Sequence, residues 1–170
     1  MQLIMNYLEE KEGNIFFIPL FLENNMKENT KNYSKYKFEK NANYAFGRLI
    51  EADKSSGNLI EIFNYTGAIP ENNKIILDSG LLFEPIHIAM AFSKSRWRFI
   101  SETENYNKEK DSNYKNISFK MGDDDSPILW EGGNKSNISI EEARKYKRWI
   151  IHHPTRIEEA IRSKDFSMII

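Results

Sequence analysis

The chain has 170 residues, 40% of them hydrophobic and 13% aromatic, enough for one domain with a sizeable core and short for two independent ones. Lys and Arg number 24 against 25 Asp and Glu, so the formal net charge of −1 supplies no overall attraction for nucleic acid. Cysteine is absent, which excludes disulfides, cysteine nucleophiles and thiolate metal sites.

Residues 1–13 carry Glu9, Glu10 and Glu12 and no basic segment, so they do not read as a secretory signal. The longest apolar run, Ile15 to Leu22, is too short to span a bilayer. A cytoplasmic protein with no membrane partner is expected. Ile15-Phe16-Phe17-Ile18-Pro19-Leu20 reads as a first strand, and Pro19, lacking an N–H, suits an edge or a bulge. Glu23 to Asn43 is dense in Asn, Lys and Glu, too polar to bury, and is read as a loop with a function or as disorder. Tyr44 to Ile50 follows as an aromatic strand whose Gly47 signals a bend or close backbone packing.

Beyond the turn signal Lys54-Ser55-Ser56-Gly57, Leu59 to Tyr65 is a further strand. Ile86, Ile88, Met90 and Phe92 alternate with His87, Ala89 and Ala91, the period of two of a half-buried strand. Trp97 to Ile100 is another, with Arg96 and Arg98 on the face opposite Trp97 as a possible small basic patch. Glu102 to Asn116 is a second polar loop, and Ile117, Phe119 and Met121 alternate with Ser118 and Lys120 before the turn Gly122 to Pro127. Ser139 with Glu142 has the form of a capping box, and Ile140, Ala143, Tyr146, Trp149 and Ile150 recur at helical spacing. Thr155 with Glu158 opens a second, shorter helix, separated from the first by Pro154.

The sum is an α+β protein, mainly β: a strongly curved antiparallel sheet or small SH3-like barrel with one or two C-terminal helices. Residues 1–170 are expected to form a single domain, mainly β over 13–130 and helical over 139–164.

No catalytic motif appears. His87, His152 and His153 show neither HxH nor HExxH spacing, so ordinary core or surface histidines are expected and no metal or cofactor is assigned. There is no GxSxG elbow, SxxK or glycine-rich phosphate loop, and no catalytic residue is assigned. Asp123-Asp124-Asp125 is the densest anionic run: a solvated turn, or a set of carboxylates that grips a metal or faces a basic cleft. Trp130, beside Glu131-Gly132-Gly133, is the tryptophan expected to be exposed as an anchor, while Trp97 and Trp149 read as core.

Ile15 to Leu20 entered from Gly13, then Tyr44-Ala45-Phe46-Gly47-Arg48-Leu49-Ile50, then Leu59-Ile60-Glu61-Ile62-Phe63, resemble the opening of the immunity protein 26 family. Ser95-Arg96-Trp97-Arg98-Phe99-Ile100 looks like the Trp-centred strand that closes that family's first half. The family is found beside bacterial polymorphic toxins, and its profile is shared with a phosphotriesterase. The resemblance implies an antitoxin that binds a cognate toxin protein and occludes its active site, with Asp123, Asp124, Asp125, Trp130 and Glu131 as the expected toxin-binding residues. The segment Glu23 to Asn43 is longer than the usual connection, which implies a different partner surface on a shared fold. A phosphoester or phosphotriester hydrolase is the alternative reading.

Overall fold

An apolar run without alternation needs cover on both sides, and the first strand has it. The computed structural model describes residues 2–23 and 31–170. In it β1 (Ile15–Pro19) is buried at every position. It belongs to a six-stranded sheet with β2 (Tyr44–Glu51), β3 (Asn58–Gly67), β4 (Ile86–Ile88), β5 (Arg98–Ser101) and β9 (Ile151–His152), in the order β5-β1-β2-β3-β4-β9. Alternate side chains enter two separate cores. Phe16, Ile18, Leu49, Ile60 and Ile62 join Trp97, Phe99 and the helix α4 (Pro154–Ser163) on one side. Ile15, Phe17, Phe46 and Phe63 join Ile4, Phe38 and Ile76 of α1 (Lys74–Asp78) on the other.

Two glycine and proline signals are explained by these pairings. At Gly47 a Cβ would stand 2.4 Å from Phe16 Cζ and 2.6 Å from the Glu61 carbonyl oxygen, so the predicted close packing is real. Pro19 is the last residue of β1, beyond Ile15–Phe17 where β5 pairs, so its missing N–H costs no bond on that side.

The mainly-β α+β class is borne out, and its geometry needs correction. Closure requires the two end strands to pair with each other. Here β5 and β9 end the sheet, and a sheet with a core on each face cannot curl around a single interior. Among the described residues no strongly curved sheet or small SH3-like barrel therefore forms. Nor is pairing purely antiparallel, since β9 runs parallel to β4. The expected strand over Ile86 to Phe92 shrinks to three residues, all buried, because β4 has neighbours on both sides and Met90 turns the chain with a φ of 70°.

Residues Met1–Asn105 with Ile151–Ile170 form one compact unit and Tyr106–Ile150 a second. The second contains α2 (Lys108–Asp111), a three-stranded antiparallel sheet of β6 (Ser118–Asp123), β7 (Ser126–Glu131) and β8 (Asn134–Asn137), and α3 (Ile140–Ala143). The Ser139 cap is present, its hydroxyl accepting from the Glu142 N–H at 3.0 Å, yet the helix stops after one turn. Lys120 N–H donates to the Lys147 carbonyl and Trp149 N–H to the Lys120 carbonyl, both at 2.9 Å, so residues 147–149 run beside β6 instead. The second predicted helix is found, but its cap lies two residues before the expected Thr155. His153 is its N-cap, with Nδ1 accepting from Thr155 N–H, and Pro154 opens it at the first turn, where no N–H is needed. Among the described residues no helix is long and apolar enough to cross a membrane.

Candidate functional site

A two-residue connection between paired strands holds its side chains in a fixed fan. Asp123 pairs with Ser126, so Asp124 and Asp125 form the tip of the β6–β7 hairpin, and all three carboxylates are exposed. Gly122 enters the tip at a φ of 81°, a conformation glycine adopts without strain. The Arg148 guanidinium donates to the Gly122 carbonyl from both terminal nitrogens, at 3.2 and 2.9 Å, and reaches Asp124 Oδ1 at 3.4 Å. Asp124 is fully exposed, so solvent screens most of that ion pair. Arg148 therefore fixes the backbone of the turn more than it cancels its charge. A recess next to the tip is lined by Lys120, Asp123, Pro127, Ile140 and Arg144.

The five residues singled out by sequence do not converge. Trp130 is 5% exposed, not an open anchor. It packs against Tyr114, Phe119 and Trp149, with ring centroids at 5.8, 5.9 and 5.3 Å, as the centre of this unit's aromatic core. The reason is register: Trp130 lies opposite Phe119, on the strand face that Trp149 covers. Glu131 is exposed but ends β7 at the far side from the acidic tip, five strand residues or about 16 Å from Ser126.

In the first unit the arginines that flank Trp97 turn inward. Arg96 is 1% exposed and forms a two-bond pair with Glu158 of α4, Nε to Oε2 and Nη2 to Oε1, both at 2.7 Å. Trp97 Nε1 donates to the same carboxylate at 2.8 Å, which satisfies a charge that is otherwise 0% exposed. Arg96 Nη1 donates to the Tyr33 hydroxyl at 2.8 Å and Nη2 to the Glu23 carbonyl at 3.3 Å. Arg98 donates to the carbonyls of Ser95, Tyr33 and Tyr36, and its guanidinium lies 4.7 Å from the Tyr7 ring and 4.8 Å from the Phe38 ring. The Tyr7 phenol is pushed up by burial, against the pull of Arg98.

These contacts hold the second half of the polar loop, while its residues 24–30 lie outside the described ones. The sequence reading missed them. The available signal was Glu158, which falls between Ile157 and Ile161 on the apolar stripe of α4. A second buried pair, Arg48 Nε to Glu61 Oε2 at 3.0 Å, joins directly opposed residues of β2 and β3.

His87 and His152 are both buried, on the neighbouring strands β4 and β9, and His153 caps α4. Among the described residues no three of His, Cys, Asp and Glu group as a metal-holding set.

A family model described as Immunity protein 26 matches residues 11–126. The match takes in β1 to β6, both arginines beside Trp97 and the acidic tip, and it stops short of Trp130 and Glu131. Among curated proteins and among solved structures nothing matches the chain. Matched over more than half its length, across five of the six strands of the large sheet and the turn that carries the three aspartates, the chain belongs to the immunity protein 26 family.

Proposed function

We propose that this chain neutralises a cognate bacterial polymorphic toxin in the cytoplasm by binding it and covering its active site. Membership of the family makes it an immunity protein of a toxin system. The finer reading rests on the hairpin tip: three exposed carboxylates on a two-residue turn whose backbone Arg148 secures. Preorganised anions of this kind attract the cationic groups with which an enzyme grips an anionic substrate, and they raise the association rate at low salt. The remaining contact surface keeps water and substrate out, typically over about 1,200–2,000 Å² in total. In this scheme Asp123, Asp124 and Asp125 lead the contact, Glu131 adds a separate rim carboxylate, and Trp130 supports the hairpin from its core. We read residues 1–170 as one functional domain, because the second unit is an insertion between β5 and β9 rather than a segment appended by a linker.

The test is co-expression with the toxin encoded in the adjacent reading frame. Growth rescue and a stable complex are expected, and D123N/D124N/D125N should slow association by about 10–100-fold at low salt and flatten its salt dependence. Absence of both complex and rescue would defeat the proposal. Rescue with unchanged association kinetics would remove the hairpin from it.

A further inference from the structure

Residues 31–40 read Lys-Asn-Tyr-Ser-Lys-Tyr-Lys-Phe-Glu-Lys, four lysines and one glutamate in a chain of net charge −1. The fold sorts this segment by face. Tyr33 and Phe38 are buried, whereas Lys31, Lys35, Tyr36, Lys37 and Lys40 are exposed. A segment so polar has little apolar area with which to hold itself in place. It is held from below instead. Arg96 and Arg98 bond to the Tyr33 hydroxyl and to the carbonyls of Tyr33 and Tyr36. Tyr33 N–H donates to the Lys94 carbonyl, Ile4 N–H to that of Phe38, and Lys40 N–H to that of Gln2. Tyr36 N–H closes a turn on the Tyr33 carbonyl at 2.9 Å, which puts Ser34 and Lys35 at its outer corner.

Fixing like charges side by side costs the free protein stability. Among the described residues no carboxylate pairs with Lys35, Lys37 or Lys40 to offset that cost. The gain appears on association, because a preordered loop loses less entropy when a partner docks. Two aromatic rings border the lysines. Tyr36 is 39% exposed with its ring 4.5 Å from that of Phe38, and Phe21 is 43% exposed against Phe38 and Tyr44. Half-exposed aromatics seated on a rigid core beside a charged rim are the usual anchors of a protein interface.

We propose that the Lys31–Lys40 loop is a second contact surface, which takes a carboxylate-bearing face of a protein partner, with Tyr36 and Phe21 as anchors and Lys35, Lys37 and Lys40 as its charged rim. That the partner is the toxin rests on the function proposed above. The loop is opposite in sign to the acidic hairpin, so it recognises a different region of that toxin. A nucleic-acid strand is the poorer fit: Tyr33 and Phe38 are buried and closed to base stacking, and both nearby guanidinium groups face inward, away from a phosphate backbone.

The full chain, labelled for amide NMR, is titrated at low salt with a hexaglutamate peptide and separately with a twelve-residue oligothymidylate. Expected are shifts confined to Phe21 and residues 31–40 with the peptide, reduced at least about tenfold in apparent affinity by K35E/K37E/K40E and left in place by K54E/K135E. The same triple variant should bind the co-expressed toxin at least about tenfold more weakly, with an unchanged thermal midpoint. No response of the loop to the peptide overturns the proposal, as does tighter binding of the oligothymidylate. A toxin complex indifferent to the triple variant overturns it too. If the wild-type chain forms no toxin complex, the function proposed above fails, and the peptide titration still decides the loop.

Discussion

Glu158 is the residue on which most of the first unit's polar interior converges. One carboxylate accepts two bonds from Arg96 and one from Trp97 Nε1, and Arg96 in turn reaches Tyr33. Removing one member of a buried pair strands the other charge, so Glu158→Ala should cost about 3–5 kcal/mol in urea unfolding. The double variant R96M/E158L should cost less than E158A alone, since it leaves no uncompensated charge. A milder outcome for E158A than for the double variant would contradict this account. Gly47 is the second sensitive position. A methyl group there meets Phe16 Cζ at 2.4 Å and the Glu61 carbonyl at 2.6 Å. Gly47→Ala should therefore destabilise by about 1–3 kcal/mol, as overpacking does, and an unchanged denaturation midpoint would show that β1 and β2 can separate without loss.

At the scale of elements, connections set local order. Between β2 and β3 the Asp53 carboxylate accepts from Ser55 N–H at 2.8 Å, Ser55 Oγ at 2.9 Å and Ser56 N–H at 3.1 Å. The Ser55 backbone bond comes first among the causes that hold its pKa below the ordinary aspartate value. A lowered folded-state pKa means that the unfolded chain binds the proton more readily. The contribution to stability is then present above the ordinary aspartate value and is lost as pH falls through the lowered one. Wild type should exceed Asp53→Ala in stability at neutral pH, and the difference should close on acidification. A gap that widens toward low pH would reverse the assignment. In the β6–β7 hairpin, Gly122→Ala must adopt a φ of 81° with its Cβ 3.2 Å from the Ser126 carbonyl. A loss of about 1 kcal/mol is expected, together with disturbance of the Asp124–Asp125 tip, visible as shifted amide resonances there.

For the whole molecule, the order of the chain matters as much as its contacts. The second unit is inserted between β5 and β9, so the first unit is complete only when residues 151–170 return to supply β9 and α4. Those residues contribute Ile157, Ala160, Ile161 and Ile169 to one core and Glu158 to Arg96. A chain ending at residue 150 should lose cooperative thermal unfolding, because one face of the six-stranded sheet is left uncovered and a buried arginine unpaired. A sharp transition like that of the full chain would show that the sheet stands without its returning segment. Charge is likewise distributed at this scale, for a net of −1 conceals an acidic hairpin and a basic loop.

The sequence by itself determined the strands β1, β2, β3, β5 and β6, the tight packing at Gly47, the Ser139 cap, the α+β class and the family. Each is written in neighbouring residues, as an apolar run, a period of two or a missing side chain. Only the tertiary structure decided which faces were covered. Trp130 reads as exposed from its glycine-rich surroundings and is buried by Phe119 and Trp149. Residues 144–149 keep a helical spacing of apolar positions, yet β6 draws residues 147–149 into extended pairing. Arg96 and Arg98 read as a surface patch and instead hold a loop, because the carboxylate that draws Arg96 inward lies 62 residues away. Periodicity records what a segment is able to bury, while the partner that buries it is set by the path of the chain through space.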